Sequence, residues 1–284
     1  MLSERTALIT GASSGFGLLT TITLARRGWR VLATMRDLAR REKLEAAARE
    51  AGVLERIEFL ALDVTDNVQI AELAASIAAR PVALHAVVNN AGFAMAGFAE
   101  DVSDAELRRQ FDTNFFGAAA VTRAFLPQLR RQGHGHIVMV TSGSGRMGFP
   151  GVGSYVASKF ALEGWTETLR LEMKAVGIQV ALVEPGSFET DIWTRNALLS
   201  TGTRDTQSPN AARVARWRSR MDANTNKKAN PQIVAAAIAN LLETSHPRLR
   251  TVVGSDIKLG LWLRRLLPWS VFERIVTKAA GLDG

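Results

Sequence analysis

Tyr155 and Lys159 stand four residues apart in the run YVASK, within a helical pattern from Tyr155 to Val176. On a helix that spacing sets both side chains on one face. An ammonium beside a phenol favours the phenolate, so Lys159 is expected to bring the Tyr155 pKa down from ~10 towards the working range. A tyrosine so tuned can give a proton to a carbonyl oxygen or take one from a hydroxyl. Taken alone, most Tyr-x-x-x-Lys pairs are structural, and the weight of this one depends on what the rest of the chain carries.

A second constellation is Thr10–Gly17, TGASSGFG, directly after the apolar run Ala7–Thr10 and at the head of a helix. Strand, glycine turn and helix in that order form a phosphate cradle for a dinucleotide. Gly11 permits the tight turn, Gly15 the close approach of backbone to pyrophosphate, and Gly17 the packing of helix on sheet. Ser13, Ser14 and Phe16 share the turn. The helix N-terminus adds N–H groups and partial positive charge. At the end of the second strand, VLATMRD places Met35 where a ribose-binding carboxylate would stand, followed by Arg36. A methionine cannot hold a diol and an arginine can hold a 2′-phosphate, so NADP(H) is expected, with NAD(H) the alternative if Asp37 serves the ribose.

Other chemistries find little support. The chain has no cysteine, which removes disulfides, thiolate metal sites and a cysteine nucleophile. His134 and His136 flank one residue in a glycine-rich turn without a carboxylate motif, and no metal site is expected there. The G-x-S-x-G elbow of a hydrolase is missing from any strand-to-helix context.

These residues need a frame to bring them together. Short apolar runs at Ala7–Thr10, Arg30–Met35, Ile57–Leu62, Leu84–Asn89, His136–Thr141, Ile178–Val183 and Thr251–Val253 alternate with amphipathic stretches. The latter are Leu38–Ala51, Asp66–Ala79, Asp104–Arg131, Tyr155–Val176 and Pro231–Glu243, and Ser103 with Glu106 has capping-box spacing. The alternation predicts an α/β, doubly wound Rossmann fold: about seven parallel strands, helices on both faces, and the ligand crevice at the carboxyl ends of the strands. Residues 1–284 read as a single domain, with 191–230 a substrate loop or lid and 255–284 a C-terminal amphipathic extension. No stretch reaches the ~18–20 apolar residues that span a bilayer, and no signal-peptide pattern opens the chain, so a cytoplasmic location is expected.

Charge is distributed unevenly. Of the net +8, residues 191–230 carry +5 and residues 246–284 carry +4, leaving −1 for everything else. No nucleic-acid recognition motif accompanies this charge, and nucleic acid is not an expected partner.

Seven motifs, in order, give the chain a family likeness: TGASSGFG, DVTD (Asp63–Asp66), NNAG (Asn89–Gly92), NFFG (Asn114–Gly117), TSGSG (Thr141–Gly145), YVASK and EPGSFET (Glu184–Thr190). Over essentially its whole length the chain resembles the short-chain dehydrogenase/reductase family. Within it, ATMRD, AVTRAFLP and the tail LRTVVGSDIKLGLWLRRLLP resemble the 17β-hydroxysteroid dehydrogenase-like branch. The resemblance implies roles. Ser142 would bind the substrate oxygen, with Ser144 the alternative. Tyr155 would be the general acid/base, Lys159 would tune it and grip the nicotinamide ribose, and Asn114 would hold a water for proton relay. Asp63 and Val64 would meet the adenine, and Asn90, Ala91 and Gly92 the adenosine ribose side. Pro185 and Gly186 would back the nicotinamide, and Thr190 would reach its carboxamide.

The expected activity is NADP(H)-dependent interconversion of an alcohol and a ketone or aldehyde of a bulky apolar substrate. The alternatives are an NAD-linked secondary-alcohol dehydrogenase and a dinucleotide-sensing protein without turnover. Expected partners are that small molecule and further copies of the chain, as a dimer or tetramer. Trp193, Trp217, Trp262 and Trp269 fall in the loop and tail, where aromatics line an apolar pocket or simply pack. In the tail, Leu259, Trp262, Leu263, Leu266 and Leu267 repeat with helical spacing, and after Pro268 so do Phe272, Ile275, Val276 and Ala279. Two short amphipathic helices are expected, packed over the cleft or a neighbouring subunit, or else in weak peripheral contact with a membrane.

Overall fold

The computed structural model describes residues 5–190, 197–223 and 229–283. Nine strands occur among them: β1 (Thr6–Ile9), β2 (Arg30–Met35), β3 (Ile57–Ala61), β4 (Ala86–Asn89), β5 (Ala94–Ala96), β6 (Gly135–Val140), β7 (Ile178–Pro185), β8 (Ala197–Leu199) and β9 (Arg250–Val253). Seven form one parallel sheet in the order β3-β2-β1-β4-β6-β7-β9, each matching an apolar run within two residues at either end. Every residue of β1 and β4 is buried, as central strands covered on both faces require. From β1 the chain first builds outwards through β2 and β3. It then returns to the other side of β1 for β4, so the order reverses between β1 and β4, and a crevice opens there at the strands' carboxyl ends.

The helices are α1 (Gly15–Arg26), α2 (Glu42–Glu50), α3 (Asn67–Ala78), α4 (Asp104–Phe111), α5 (Ala118–Gln132), α6 (Gly153–Met173), α7 (Thr201–Arg204), α8 (Ala211–Ala223), α9 (Gln232–Leu242), α10 (Ser255–Leu266) and α11 (Trp269–Ala279). They cover both faces because strand side chains alternate. Ala7, Ile9, Val31, Ala33, Val138 and Val140 pack with residues of α1, α2 and α9. Leu8, Leu32, Val87, Ile137 and Met139 pack with residues of α3, α5 and α6. Local chemistry sets the helix starts. Asp66 accepts from the Val68 and Gln69 N–H groups at the head of α3, and Ser103 with Glu106 forms the expected capping box on α4.

Three features depart from the sequence reading. The stretch Asp104–Arg131 is not one α-helix: a π-helical turn, Asp112–Gly117, separates α4 from α5. Its extra residue turns Asn114 inwards to the interior, where it is 1% exposed. The described part of 191–230 is not plain loop but holds β8, α7 and α8, with β8 paired in parallel to β5. In the tail the two helices form around Pro268 as expected, and Phe272 of the expected second stripe is buried, but α10 is anchored by Ile257, which lies outside the expected first stripe. Leu259, Trp262 and Leu266 of the expected stripe are exposed.

Candidate active site

The β1–α1 turn is shaped by what lies beneath it. Gly11 has a φ of +67°, and a Cβ there would sit 2.8 Å from the Ala91 Cα. A Cβ on Gly17 would strike the Gly11 carbonyl oxygen and the Asn90 amide. Asn90 fixes this contact by donating from Nδ2 to the carbonyls of Thr10 (2.9 Å) and Gly11 (3.1 Å). The Thr10 hydroxyl in turn accepts from the Asn90 and Ala91 N–H groups, at 3.0 Å each. The ends of β1 and β4 are thus locked together at the switch point. At Gly15 a Cβ would meet no protein atom nearer than Thr190, 3.8 Å away, so it would occupy open cleft. No acidic residue lies in the first turn of α1, which keeps its N-terminal field suited to an anion.

A cleft of about 430 Å³ runs from this turn along the strand ends. Gly11, Ser13, Ser14, Gly15, Phe16, Arg36, Asp63 and Val64 line one end, and Asn90, Ala91, Gly92, Ser142, Tyr155, Lys159, Pro185, Gly186 and Thr190 line the rest. Gly17 and Asn114 do not reach the cleft surface. Gly17 supports the turn from below, and Asn114 stands behind the wall. Ser144, the alternative to Ser142, also stays out of the lining and donates its N–H to the Ser142 hydroxyl at 3.1 Å.

At the β2 end a second cation appears that the sequence reading did not single out. Arg40 lines the cleft with Arg36. Its placement follows from Asp37, whose carboxylate caps the short 3₁₀ turn Leu38–Arg41 by accepting from the Ala39 N–H at 2.9 Å. The signal was present in the spacing of Arg36 and Arg40, but a turn rather than a strand brings them together.

At the opposite end, α6 presents Tyr155 and Lys159 on one face, as the spacing requires. Tyr155 is 3% exposed and hydrogen-bonded to Ser142. Lys159 donates to the Val140 carbonyl at 2.9 Å, with its nitrogen 5.7 Å from the Tyr155 ring centre. Asn114 accepts from the Phe93 N–H at 3.1 Å and donates to the Phe93 carbonyl at 3.0 Å and the Ser158 hydroxyl at 3.2 Å. Ser158 donates to the Tyr155 carbonyl at 2.7 Å, so Asn114 is tied to the helical turn that carries Tyr155.

The electrostatics correct one expectation. Burial pushes the Tyr155 phenol up to about 12, and the Ser142 hydrogen bond only partly opposes it. The Lys159 ammonium, turned to a backbone carbonyl with its nitrogen 5.7 Å from the ring centre, does not offset the burial of the phenol. Burial lowers Lys159 to about 8, with the Glu163 carboxylate working the other way. Near neutral pH the pair is therefore a protonated phenol beside an ammonium, the form that donates a proton.

Glu163 is a residue the sequence reading missed. It follows Lys159 by four on α6, so Tyr155, Lys159 and Glu163 succeed one another at i, i+4 and i+8. It accepts from the Thr141 hydroxyl at 2.6 Å and from Arg250 at 3.1 Å. Thr141 immediately precedes Ser142, and Glu163 thereby couples the Lys159 charge to the strand end that holds Ser142. Burial pushes the Glu163 carboxyl up to about 7, and Glu184 nearby adds to the shift while Thr141 and Arg250 oppose it.

Further apolar lining of the cleft comes from Phe93, Phe188 and Leu198. Trp217 packs in a cluster with Tyr155, whereas Trp262 and Trp269 lie exposed on the tail. Trp193 lies outside the described residues.

Comparison with known proteins finds relatives over nearly the whole chain. The family model for short chain dehydrogenase matches residues 5–198. The chain is 40% identical over 279 residues to the uncharacterized oxidoreductase YusZ of Bacillus subtilis, covering 98% of this chain and 99% of that one. It is 36% identical over 255 residues to retinol dehydrogenase 8 of Homo sapiens, covering 87% and 81%. A solved short-chain dehydrogenase from Streptomyces avermitilis superposes with a TM-score of 0.81 at 34% identity, covering 97% and 96%.

Proposed function

Because the chain belongs to the short-chain dehydrogenase/reductase family, an oxidoreductase family, we propose that it reduces a ketone or aldehyde on a bulky apolar substrate with NADPH. The reverse oxidation is open to the same residues. The observation that carries the reading is the cleft itself, with paired arginines at one end and a Ser142–Tyr155 hydrogen bond at the other. The residues present suit a dinucleotide. The open space at Gly15 and the acid-free head of α1 fit a pyrophosphate. Arg36 and Arg40 fit a 2′-phosphate.

A nicotinamide cofactor held in this cleft would supply the hydride for the carbonyl carbon. Ser142 and Tyr155 together grip the carbonyl oxygen, and Tyr155, which holds its proton at neutral pH, delivers it as charge develops there. Lys159, cationic below about pH 8, steadies the phenolate that remains. Asn114, fixed by Phe93 and Ser158, is read as the link through which water returns the proton. The apolar substrate class draws on Phe93, Phe188 and Leu198 and on the relative named for retinol. We read β8, α7 and α8 as the substrate loop and α10 and α11 as an extension of the same domain, because Tyr155 packs with Trp217, Leu199 and Leu282 in one apolar cluster. The test is consumption of NADPH or NADH with a panel of apolar ketones and aldehydes. Turnover that favours NADPH supports the proposal, and a protein that binds cofactor yet turns over none of them refutes it.

A further inference from the structure

On α10 the inward side is already occupied. Ile257 packs on Gly143, Gly260 abuts Met147, and Leu261 joins the cluster of Met147, Ile257 and Phe272. The outward side carries Leu259, Trp262 and Leu266, which are 56%, 58% and 57% exposed. Lys258 and Arg265 border this strip on the helical wheel. Beyond Pro268, α11 repeats the design: Phe272 is buried, while Val271 and Ile275 are exposed next to Arg274 and Lys278. Trp269 is also exposed, with the Arg264 guanidinium 4.9 Å from its ring centre.

A large apolar strip on the solvent side of a packed helix needs an occupant, and the charge identifies it. The positive charge of the chain resides in 191–230 and 246–284, and the fold brings the described parts of these segments together. Gly281 lies against Arg220, and Ala280 and Leu282 join the cluster of Trp217 and Tyr155. Arg216 and Arg220, exposed on α8, therefore border the tail. Two copies joined through this face would set like charges together. An anionic bilayer would complement them, with Trp and Leu at the acyl boundary and Lys and Arg among the headgroups.

We propose that α10 and α11, with Arg216 and Arg220 of α8 beside them, form a peripheral docking surface for an anionic lipid membrane. Among the described residues no helix is long and apolar enough to cross one, so the contact is interfacial. It lies next to the cluster that contains Tyr155, which places the cleft within reach of an apolar molecule leaving the bilayer. The surface stands independently of the redox reading, since its test measures binding and not turnover.

The experiment is flotation of the full chain with phosphatidylcholine vesicles, with and without phosphatidylglycerol, at ~0.05 and ~0.5 M salt. Binding is expected only with phosphatidylglycerol and to be largely lost at high salt. Trp262→Ser combined with Leu266→Ser should weaken partition ~10-fold or more. Arg265→Gln and Arg274→Gln should each weaken it about five-fold. All these side chains are exposed, so thermal melting should be unchanged and will separate lost binding from lost folding. Absence of binding at low salt, or equal binding to neutral vesicles, overturns the proposal. So does a Trp262→Ser and Leu266→Ser protein that loses an oligomer instead of vesicle binding, because the occupant would then be a second copy of the chain.

Discussion

Replacing Tyr155 with phenylalanine should change how stability depends on pH, and the size of the change follows from burial. Tyr155 is the only tyrosine in the chain. Its pKa is pushed up to about 12 in the folded state, against ~10 for an unperturbed phenol. A pKa raised by folding means that the folded state holds the proton more tightly. The stability it contributes is whole below ~pH 10 and is lost as pH rises towards 12. At about pH 11 one unit of that gap has been lost, or ~1.4 kcal/mol. The Tyr155→Phe protein has no phenol to ionise and lacks this decline. Groups that titrate in both proteins, Lys159 included, cancel in the difference. Urea unfolding of the two proteins between about pH 9 and pH 11 measures it, and the stability of wild type relative to the variant should fall by ~1.4 kcal/mol over that range. A difference that stays flat would refute the burial argument. So would a phenolate absorbance in the folded protein that rises at or below ~pH 10, since no other tyrosine can produce it.

Two further substitutions test other parts of the site. Arg36→Asp should lower kcat/KM for NADPH relative to NADH by roughly ten- to a hundred-fold, the loss of a charge-assisted pair plus repulsion of the phosphate; an unchanged cofactor ratio would remove Arg36 from the phosphate site. Glu163→Gln removes the carboxylate that holds up the Lys159 pKa, so the limb of the kcat/KM–pH profile that reports loss of the Lys159 charge should move below about pH 8. A merely structural Glu163 would leave that limb in place and lower only stability.

Much of this molecule is legible in one dimension because its signals are local. The seven sheet strands are apolar runs bounded by polar or glycine-rich segments, and the β1–α1 turn declares itself through Gly11, Gly15 and Gly17. What escaped reading depends on contacts distant in sequence. The π turn at Asp112–Gly117 exists where Asn114 meets Phe93 and Ser158, partners just before β5 and on α6. The β5–β8 pair joins three-residue segments about a hundred positions apart, too short for periodicity to register. Arg40 reaches the cleft through the Asp37 cap, not through any repeat. The Tyr155 shift runs opposite to the expectation because helical spacing reports only that a lysine is near, whereas the fold buries the phenol itself and turns the ammonium to Val140. In the tail, periodicity found an apolar stripe, but which side of α10 faces inwards was settled by Ile257 filling the space over Gly143.

The central claim is that Tyr155 gives the proton in an NADPH-dependent carbonyl reduction. The most direct measurement is single-turnover NADPH oxidation with an apolar ketone or aldehyde, in wild type and in Tyr155→Phe, with NADPH binding measured alongside. The variant should bind NADPH as wild type does, and its rate should fall by ~10²–10⁴. A variant that keeps more than about a tenth of the wild-type rate would place the proton donor elsewhere and contradict the account.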